Sequence, residues 1–359
     1  MHLTKRLTLV LLLVFLAGTA FAQWEVKINV DPSYNEGSYS GAIGTIKTRL
    51  EGELNDLLDN VPPVPENMVQ GFADASIFAS HGATQRAYGG YDFLAITAGF
   101  MLGLRLPGGF SLDDFDNPEN MLNSIAEDPF GVGIQGINVE AGLHISKFLP
   151  INRLYAAVRF GYINANLNYE DSGIDFNTFQ IGVLGRYQLV NDINLFIVKW
   201  RGITVGTGFM YQRTGFGFDV PLGLGEIEAG SGSTALRMSD PAAHFGMTMS
   251  TYTIPLEINT AVQLLFIFNI GIGAGVDLAF GSNDLDIGID SKIYRVEDGA
   301  YFGYASIEGG GTMSPNFLHP KLMASFGFKF GPVIIDIPMT YYIGQDHGLS
   351  LGVTVGAVF

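Results

Sequence analysis

The sequence predicts an all-β fold, an antiparallel transmembrane β-barrel of about twelve strands, within a range of ten to fourteen. Three observations lead to this prediction. The final segment, Leu349 to Phe359, alternates apolar with small or polar residues, which is the period of a β-strand. Similar alternating segments recur from residue 93 onward. The composition is 47% hydrophobic and only 15% charged, and a barrel surrounded by lipid needs few charges.

An export signal precedes this pattern. Lys5 and Arg6 form a positive region, residues 7–18 form an apolar core, and Ala20-Phe21-Ala22 is a small-x-small cleavage site. We therefore expect residues 1–22 to be a signal peptide that is cleaved after Ala22. The alternative is a retained membrane anchor, but the apolar core is too short to span a bilayer.

Cysteine content and charge exclude several classes of protein. The chain has no cysteine, which excludes disulfides, metal–thiolate centres and a cysteine nucleophile. Loss of Lys5 and Arg6 with the signal reduces 19 basic residues to 17 against 35 acidic ones, a formal charge of −18. So acidic a chain lacks the basic patches that nucleic acids require, and we expect no nucleic-acid partner.

Residues 23–91 differ from the rest of the chain. Apolar residues at three- and four-residue spacing, such as Ile43, Ile46 and Leu50, predict one amphipathic helix over residues 43–61. A run rich in Gly, Ala, Ser and Tyr follows. We expect this segment to be either a plug folded into the barrel or a periplasmic extension, and residues 92–359 to form the barrel.

The barrel region contains ten clear alternating segments and one further pair. The pair is expected at Leu285–Val296 and Tyr301–Ile307, with Glu297-Asp298-Gly299 as its turn. Tight turns are predicted at residues 149–151, at Phe268-Asn269 and at residues 330–332. Long acidic connections are predicted at 107–130, 218–243 and 308–318. Short turns at one end and long loops at the other are typical of membrane barrels.

The signal peptide, the alternating segments and the terminal Phe359 resemble those of bacterial outer-membrane β-barrel proteins of the porin-like kind. In that class the last strand is the signal for the barrel assembly machinery, and Leu351, Val353, Val355 and Phe359 match it. The resemblance implies an outer-membrane location, with membrane lipid and the assembly machinery as partners. A more distant similarity is to FadL-type transporters of hydrophobic compounds, whose amino-terminal segment plugs the barrel. The stretch Ala73 to Gly90 lies where such a plug would lie.

The predicted inner face carries charges of both signs that nearly cancel. A wide ion-selective pore more often carries one sign. The balance favours charges that pair across a narrow lumen, or with a plug, over charges that contact a substrate. The lumen-facing candidates are Arg105, Glu140, His144, Arg159, Arg186, Glu257, Asp277, Lys321, Lys329 and Asp336.

Glycine also concentrates on the inner phase of the strands, for example at Gly103, Gly142, Gly182 and Gly356. Two explanations are open. Either the sheet bends at these positions, or a docked amino-terminal helix or plug approaches the wall closely.

The sequence predicts a protein that is not an enzyme and has no cofactor or metal. A barrel hydrolase needs Ser-His or Asp-His groups gathered at one height, but the histidines are scattered over different segments. After the predicted signal peptide they are His81, His144, His244, His319 and His347. Residues 283–290 carry alternating acids without the closing Glu of a calcium loop.

The function predicted from these features is a passive channel or transporter for small molecules, hydrophobic ones included, gated by the amino-terminal segment. The alternative is a surface-exposed adhesin or a structural outer-membrane protein with a closed barrel.

Overall fold

The computed structural model describes residues 25–59, 67–80, 93–106, 130–145, 148, 153–169, 172–221, 226–239, 241–344 and 347–359. The predicted signal peptide, the predicted turn at residues 149–151 and most of the 107–130 connection lie outside these ranges. Among the described residues, no helix is both long enough and apolar enough to cross a membrane.

The described part of the chain contains two α-helices, α1 (Ser40–Asp59) and α2 (Asn67–Ser80), and fifteen strands. The strands are β1 Glu25–Val30, β2 Leu94–Arg105, β3 Gly131–His144, β4 Leu154–Tyr169, β5 Ser172–Val190, β6 Ile193–Leu195, β7 Val198–Pro221, β8 Ile227–Ala229, β9 Leu236–Met238, β10 Ala242–Leu264, β11 Phe268–Arg295, β12 Tyr301–Met313, β13 Leu318–Phe330, β14 Val333–Tyr342 and β15 Gly348–Val358.

The strands form a closed antiparallel barrel, and this confirms the predicted fold class. Within the described ranges, twelve strands follow one another in hydrogen-bonded order. Ten of them close a ring, because β15 pairs with β2 and the lower half of β11 pairs with β13. The remaining two extend the sheet above the ring, where β12 pairs with the upper half of β11 and β1 pairs with β12.

The predicted strand at Leu285–Val296 is not separate. It is the upper half of β11, a strand of 28 residues that pairs with β13 over Phe268–Leu278 and with β12 over Asn283–Tyr294. Alternation on one face continues across the whole strand, so the sequence pattern does not reveal where the partner changes. The predicted long connection at 308–318 is also wrong, since β12 continues to Met313.

The outer face of the ring is apolar, as contact with lipid requires. Two aromatic girdles bound this face. The upper girdle runs over neighbouring strands through Phe160, Phe179, Tyr211, Tyr252 and Phe280. The lower girdle includes Phe93, Phe148, Phe268, Phe326, Phe328 and Phe330. We call the end of the barrel that holds Phe93 and Phe359 the lower end.

Helix α1 confirms the predicted amphipathic helix, with bounds 40–59 in place of 43–61. Its apolar stripe, Ala42, Ile46 and Leu50, is buried, while Lys47 and Glu51 on the opposite face are exposed. The stripe belongs to a hydrophobic cluster with Ile227, Ala229, Leu236 and Met238 of the β8–β9 hairpin and with Phe302 of β12. All of these lie above Phe280 of the upper girdle.

We call this assembly of β1, α1, β8, β9, β12 and the upper half of β11 the upper unit. Tyr34 and Tyr39 close it by packing on Phe302, with ring centroids 5.2 and 4.6 Å away. After β1 the chain turns at Asp31, whose carboxylate accepts hydrogen bonds from the Ser33 hydroxyl and amide. These hydrogen bonds lower the pKa of Asp31.

The prediction of a single amino-terminal helix misses a second one, α2. A helix that is buried on all sides has no polar face, so the periodicity that reveals α1 is absent from it.

Candidate functional site

Helix α2 lies inside the barrel, and we call it the lumen helix. Ala73, Asp74, Ala75, Ile77 and Phe78 are each 0% exposed. The helix contacts β2, β3, β7, β10, β11 and β15, strands from around the ring. Its amino-terminal part, at Gly71, lies beside Phe130 and Gly131 at the upper end of β3. Its last residue, Ser80, lies lower, beside Gln135 and Gln180. The chain therefore descends through the lumen from the upper unit.

Glycines of the wall make room for this helix. A side chain at Gly103, Gly131 or Gly133 would collide with the backbone of the lumen helix, and one at Gly348 would collide with the Phe78 ring. At other inner glycines the space is taken by a side chain of the next strand, as with Gly142 and Tyr155 or Gly182 and Met210. Close approach thus accounts for both groups of glycines.

Three glutamines from three strands hold the carboxy-terminal turn of the lumen helix. Gln135 and Gln180 both donate to the carbonyl of Ser80. Gln212 donates to the Ser76 hydroxyl at 3.1 Å and to its carbonyl at 3.4 Å. The last four carbonyls of a helix have no partner within the helix, so the amides of Gln135 and Gln180 satisfy a Ser80 acceptor that burial would otherwise leave unpaired.

One carboxylate anchors the middle of the lumen helix. The Asp74 oxygens lie 3.6 Å from Arg105 Nε and 3.8 Å from His319 Nε2. Asn316 also donates to Asp74, from its backbone at 3.2 Å and from its side chain at 3.3 Å. Asp74, Arg105 and His319 are buried. A buried carboxylate is stabilised only by such charge pairing and hydrogen bonding.

Phe78 provides an apolar contact to the same wall. Its ring stacks on Tyr342 with centroids 3.9 Å apart, and His319 meets it edge-on at 5.5 Å. The Tyr342 hydroxyl in turn donates to Asp277 at 3.2 Å. Tyr342 therefore connects the lumen helix to the charges below it.

Two ion clusters fill the middle of the lumen. Lys321 Nζ lies 2.6 Å from both Glu257 and Asp277, and all three side chains are at most 8% exposed. On the opposite wall, Arg159 Nη2 lies 2.6 Å from Glu140 and also donates from Nη1 to the Met210 sulfur at 3.4 Å. Arg159 and Glu140 thus meet across neighbouring strands, and Lys321 meets Asp277 of the neighbouring strand and Glu257 of the strand beyond it.

The other predicted lumen residues lie elsewhere on the inner wall. Asp336 is buried on β14, opposite Gly327 of β13. Arg186, His144 and Lys329 are half-buried near the lower end. Below the ion clusters lies an apolar group of buried residues. It consists of Ala95, Tyr155, Ala157, Ile334 and Val358, with Leu184 packed against it.

Sequence reasoning did not assign roles to Asp74, Gln135, Gln212 and His319. One signal was present for Asp74, since it is the only charged residue between Asn67 and Ser80. The glutamines occupy inward positions of their strands, but no spacing along the chain relates them, because only barrel closure brings β3, β5 and β7 to one helix end.

Comparison with known proteins places the chain in a family. The sequence model described as Lsa36-like matches residues 39–359. No curated protein sequence matches the chain. Among solved structures, the translocator domain of the autotransporter NalP from Neisseria meningitidis is similar, with 14% identity and a TM-score of 0.32, over 90% of this chain and 100% of that one.

Two further solved barrels are similar over much of their length. The transport unit of the autotransporter AIDA-I from Escherichia coli has 11% identity and a TM-score of 0.33, over 82% of this chain and 99% of that one. A FadL homologue from Pseudomonas aeruginosa has 8% identity and a TM-score of 0.27, over 83% and 99%. The match over residues 39–359 includes both the lumen helix and the barrel, and the chain belongs to the Lsa36-like family.

Proposed function

We propose that this protein is an integral protein of the bacterial outer membrane whose closed barrel displays the upper unit at the cell surface. One observation carries the proposal. Helix α1 lies in the upper unit, the lumen helix runs downward inside the barrel, and β2 begins with Leu94 at the lower end. The upper unit and the first residue of β2, Leu94, therefore lie at opposite ends of the barrel.

The filling of the lumen supports a displaying role over an open pore. The lumen helix fills the upper part, the two ion clusters fill the middle, and the apolar group around Tyr155 fills the lower part. Among the residues that the structure describes, the first of these fillings is a separate segment, and the other two are side chains of the wall. A barrel of about eight strands is just wide enough for side chains to fill it, and ten strands leave room for one helix as well.

Cysteine labelling on intact cells tests the orientation. The chain has no native cysteine, so Lys47→Cys on the exposed face of α1 and Arg153→Cys at the start of β4 each provide a unique thiol. We expect a membrane-impermeant maleimide to label Lys47→Cys on intact cells and Arg153→Cys only after the outer membrane is permeabilised. The reverse pattern, or equal labelling, contradicts display of the upper unit.

A second candidate is passive passage of small molecules, gated by the lumen helix. The observation that favours it is the polar docking of this helix, since Asp74, Ser76 and Ser80 meet polar groups of the wall. Polar surfaces tolerate water after separation far better than apolar ones. Planar-bilayer conductance separates the two candidates: channels that appear only when residues 67–80 are deleted support gated passage, and silence in both proteins excludes it.

Placing a charge in the core of the upper unit is expected to unfold that unit while the barrel stays folded. Ile46 is 0% exposed in the cluster with the β8–β9 hairpin, so Ile46→Asp buries a carboxylate without a partner. We expect protease to cleave α1 rapidly in this variant, while heat-modifiable migration of the barrel stays unchanged. Thr48→Asp, on the exposed face of the same helix, is the matched control and should resist protease as the parent does.

The proposed assembly signal near the carboxy terminus remains a set of four residues, Leu351, Val353, Val355 and Phe359. All four are exposed on the outer face of β15 or at its end. The same strand closes the ring against β2, where Phe359 and Leu94 exchange backbone hydrogen bonds. An outward row on the closing strand is available to another protein before the seam forms.

A further inference from the structure

Two turns at the lower end of the barrel carry large apolar side chains. Phe196 and Ile197 connect β6 to β7, and Leu265 and Phe266 begin the connection from β10 to β11. Phe196 is 82% exposed and Phe266 is 61% exposed. The two rings meet edge-on with centroids 6.5 Å apart, so the turns form one surface. We call Leu195, Phe196, Ile197, Leu265 and Phe266 the tip patch.

Both turns contain bulky apolar residues with positive φ, a backbone conformation that such residues rarely adopt. Phe196 has φ 65°, Leu265 has φ 52° and Phe266 has φ 64°. Ile267 donates to the Leu264 carbonyl at 3.1 Å, so Leu265 and Phe266 occupy the two central positions of a turn with the φ pattern of type I′. Asn and Gly normally occupy these positions, and bulky residues with positive φ are unfavourable.

Two other turns of the same barrel follow the usual rule, although Arg153 before β4 also has a positive φ of 65°. Positive φ falls on Gly331 between β13 and β14, and on Gly299 between β11 and β12. The upper of these turns also carries Glu297 and Asp298, which are exposed. The tip patch departs from this pattern in both respects, because it combines a strained backbone with exposed apolar side chains. Such a combination is stable when the side chains are buried by something outside the chain.

The position of the tip patch indicates what buries it. Tyr187 of β5 lies opposite Leu154, the first residue of β4, and β5 and β6 continue beyond that level. The tip patch therefore projects past the neighbouring wall. Leu189 and Val190, both exposed and apolar, extend the lipid-facing band toward it along β5. Polar groups lie beside it, among them the Lys199–Asp192 ion pair at 2.8 Å.

We propose that the tip patch inserts into the phospholipid leaflet at the lower end of the barrel. The tip patch is apolar and continues the lipid-facing band, and Trp200 and an ion pair lie at its base. Such a surface suits the boundary between acyl chains and headgroups. The barrel then lies tilted in the membrane, deeper on the side of β5, β7, β10 and β11. Only the identity of that leaflet as the periplasmic one rests on the proposed function.

Probe fluorescence in vesicles tests the insertion independently of orientation in cells. Phe196→Cys, Pro332→Cys and Asp298→Cys each receive a polarity-sensitive NBD probe, and the whole protein is reconstituted into phosphatidylcholine–phosphatidylethanolamine vesicles. We expect the probe at position 196 to emit at shorter wavelength and to be quenched several-fold more strongly by nitroxide-bearing lipid than the probe at 298. Position 332, on the neighbouring lower turn between β13 and β14, should give an intermediate result.

A probe at 196 that is as water-exposed in vesicles as the probe at 298 overturns the insertion. If the same probe is protected in native membranes, the occupant of the tip patch is a protein. A paired variant excludes a probe artefact: Leu265→Asn with Phe266→Gly restores the usual turn residues, so the barrel should stay folded. The NBD probe at 196 should then lose at least half of its quenching.

Discussion

Replacing Lys321 by methionine is expected to destabilise the barrel by about 3–5 kcal/mol, because it leaves two carboxylates buried without their cation. Lys321 is 1% exposed, and its ammonium lies 2.6 Å from both Glu257 and Asp277. Methionine has a similar length and is apolar, so the packing changes little and the charge is the main variable. Urea unfolding of the protein in detergent or vesicles measures the difference.

The chain offers a matched control on the same residue type. Lys47 forms an exposed pair with Glu51 at 4.0 Å on the surface of α1, and such pairs contribute about 0–1 kcal/mol. Lys47→Met should therefore leave the free energy of unfolding almost unchanged. A triple variant, Lys321→Met with Glu257→Gln and Asp277→Asn, should recover much of the loss. Equal stability of Lys321→Met and Lys47→Met would show that the lumen charges are solvated and the middle of the barrel is open.

Replacing Gly133 by leucine is expected to displace the lumen helix from the barrel. A Cβ at this position would overlap backbone atoms of Ala75 and Ser76, and backbone atoms cannot move aside as a flexible side chain can. Overpacking in a filled core typically costs about 1–3 kcal/mol. Water can replace the polar contacts of Asp74, Ser76 and Ser80, and Phe78 is the main apolar contact to the wall. We therefore expect the helix to undock and the wall to stay intact.

Thiol reactivity of the helix measures this displacement. Ser76→Cys provides the probe, since Ser76 is 1% exposed in the docked state. The thiol should be unreactive in the parent and should react rapidly when Gly133→Leu is added. Gly185→Leu is the matched control, because Gly185 has only the Thr207 carbonyl near it, at 4.0 Å from an added Cβ. If the Ser76→Cys thiol remains unreactive in the protein that also carries Gly133→Leu, the close docking is contradicted.

These two experiments also bear on the choice between display and passage. If undocking the lumen helix leaves the membrane impermeable, the ion clusters and the apolar group below it are sufficient to close the barrel. If undocking produces conductance, the helix is the gate that the sequence predicts. The Lys321 variant then reports whether the ion cluster forms a second barrier.

Sequence patterns predicted the parts of this fold whose information is local. Leu351, Val353 and Val355 point outward as their alternation indicates, because a strand reverses its side chains at every residue. The stripe of Ile46 and Leu50 predicted α1 for the corresponding helical reason. By contrast, the turn predicted at Phe268-Asn269 lies at Leu265 to Ile267, since residues that favour strands occupy it.

The site was predictable only in part. Charges of both signs on the inner phase indicated pairing, and Glu140 with Arg159 and Lys321 with Asp277 do pair. The partners themselves depend on register between strands, which alternation does not determine. Asp277 and Lys321 are 44 residues apart. They meet because the lower half of β11 pairs with β13, whereas its upper half pairs with β12.

The sequence by itself determined that the chain alternates into a barrel, that its outer face is apolar and that an amphipathic helix precedes it. Period-two and period-3.6 patterns record which face of each element is apolar, and this information is contained within a few residues. Only the tertiary structure decided that a second helix lies in the lumen, that glutamines from three strands hold its end, and that the amino-terminal unit lies at the opposite end from Phe359. These features depend on closure of the ring, which brings together residues that no local pattern relates.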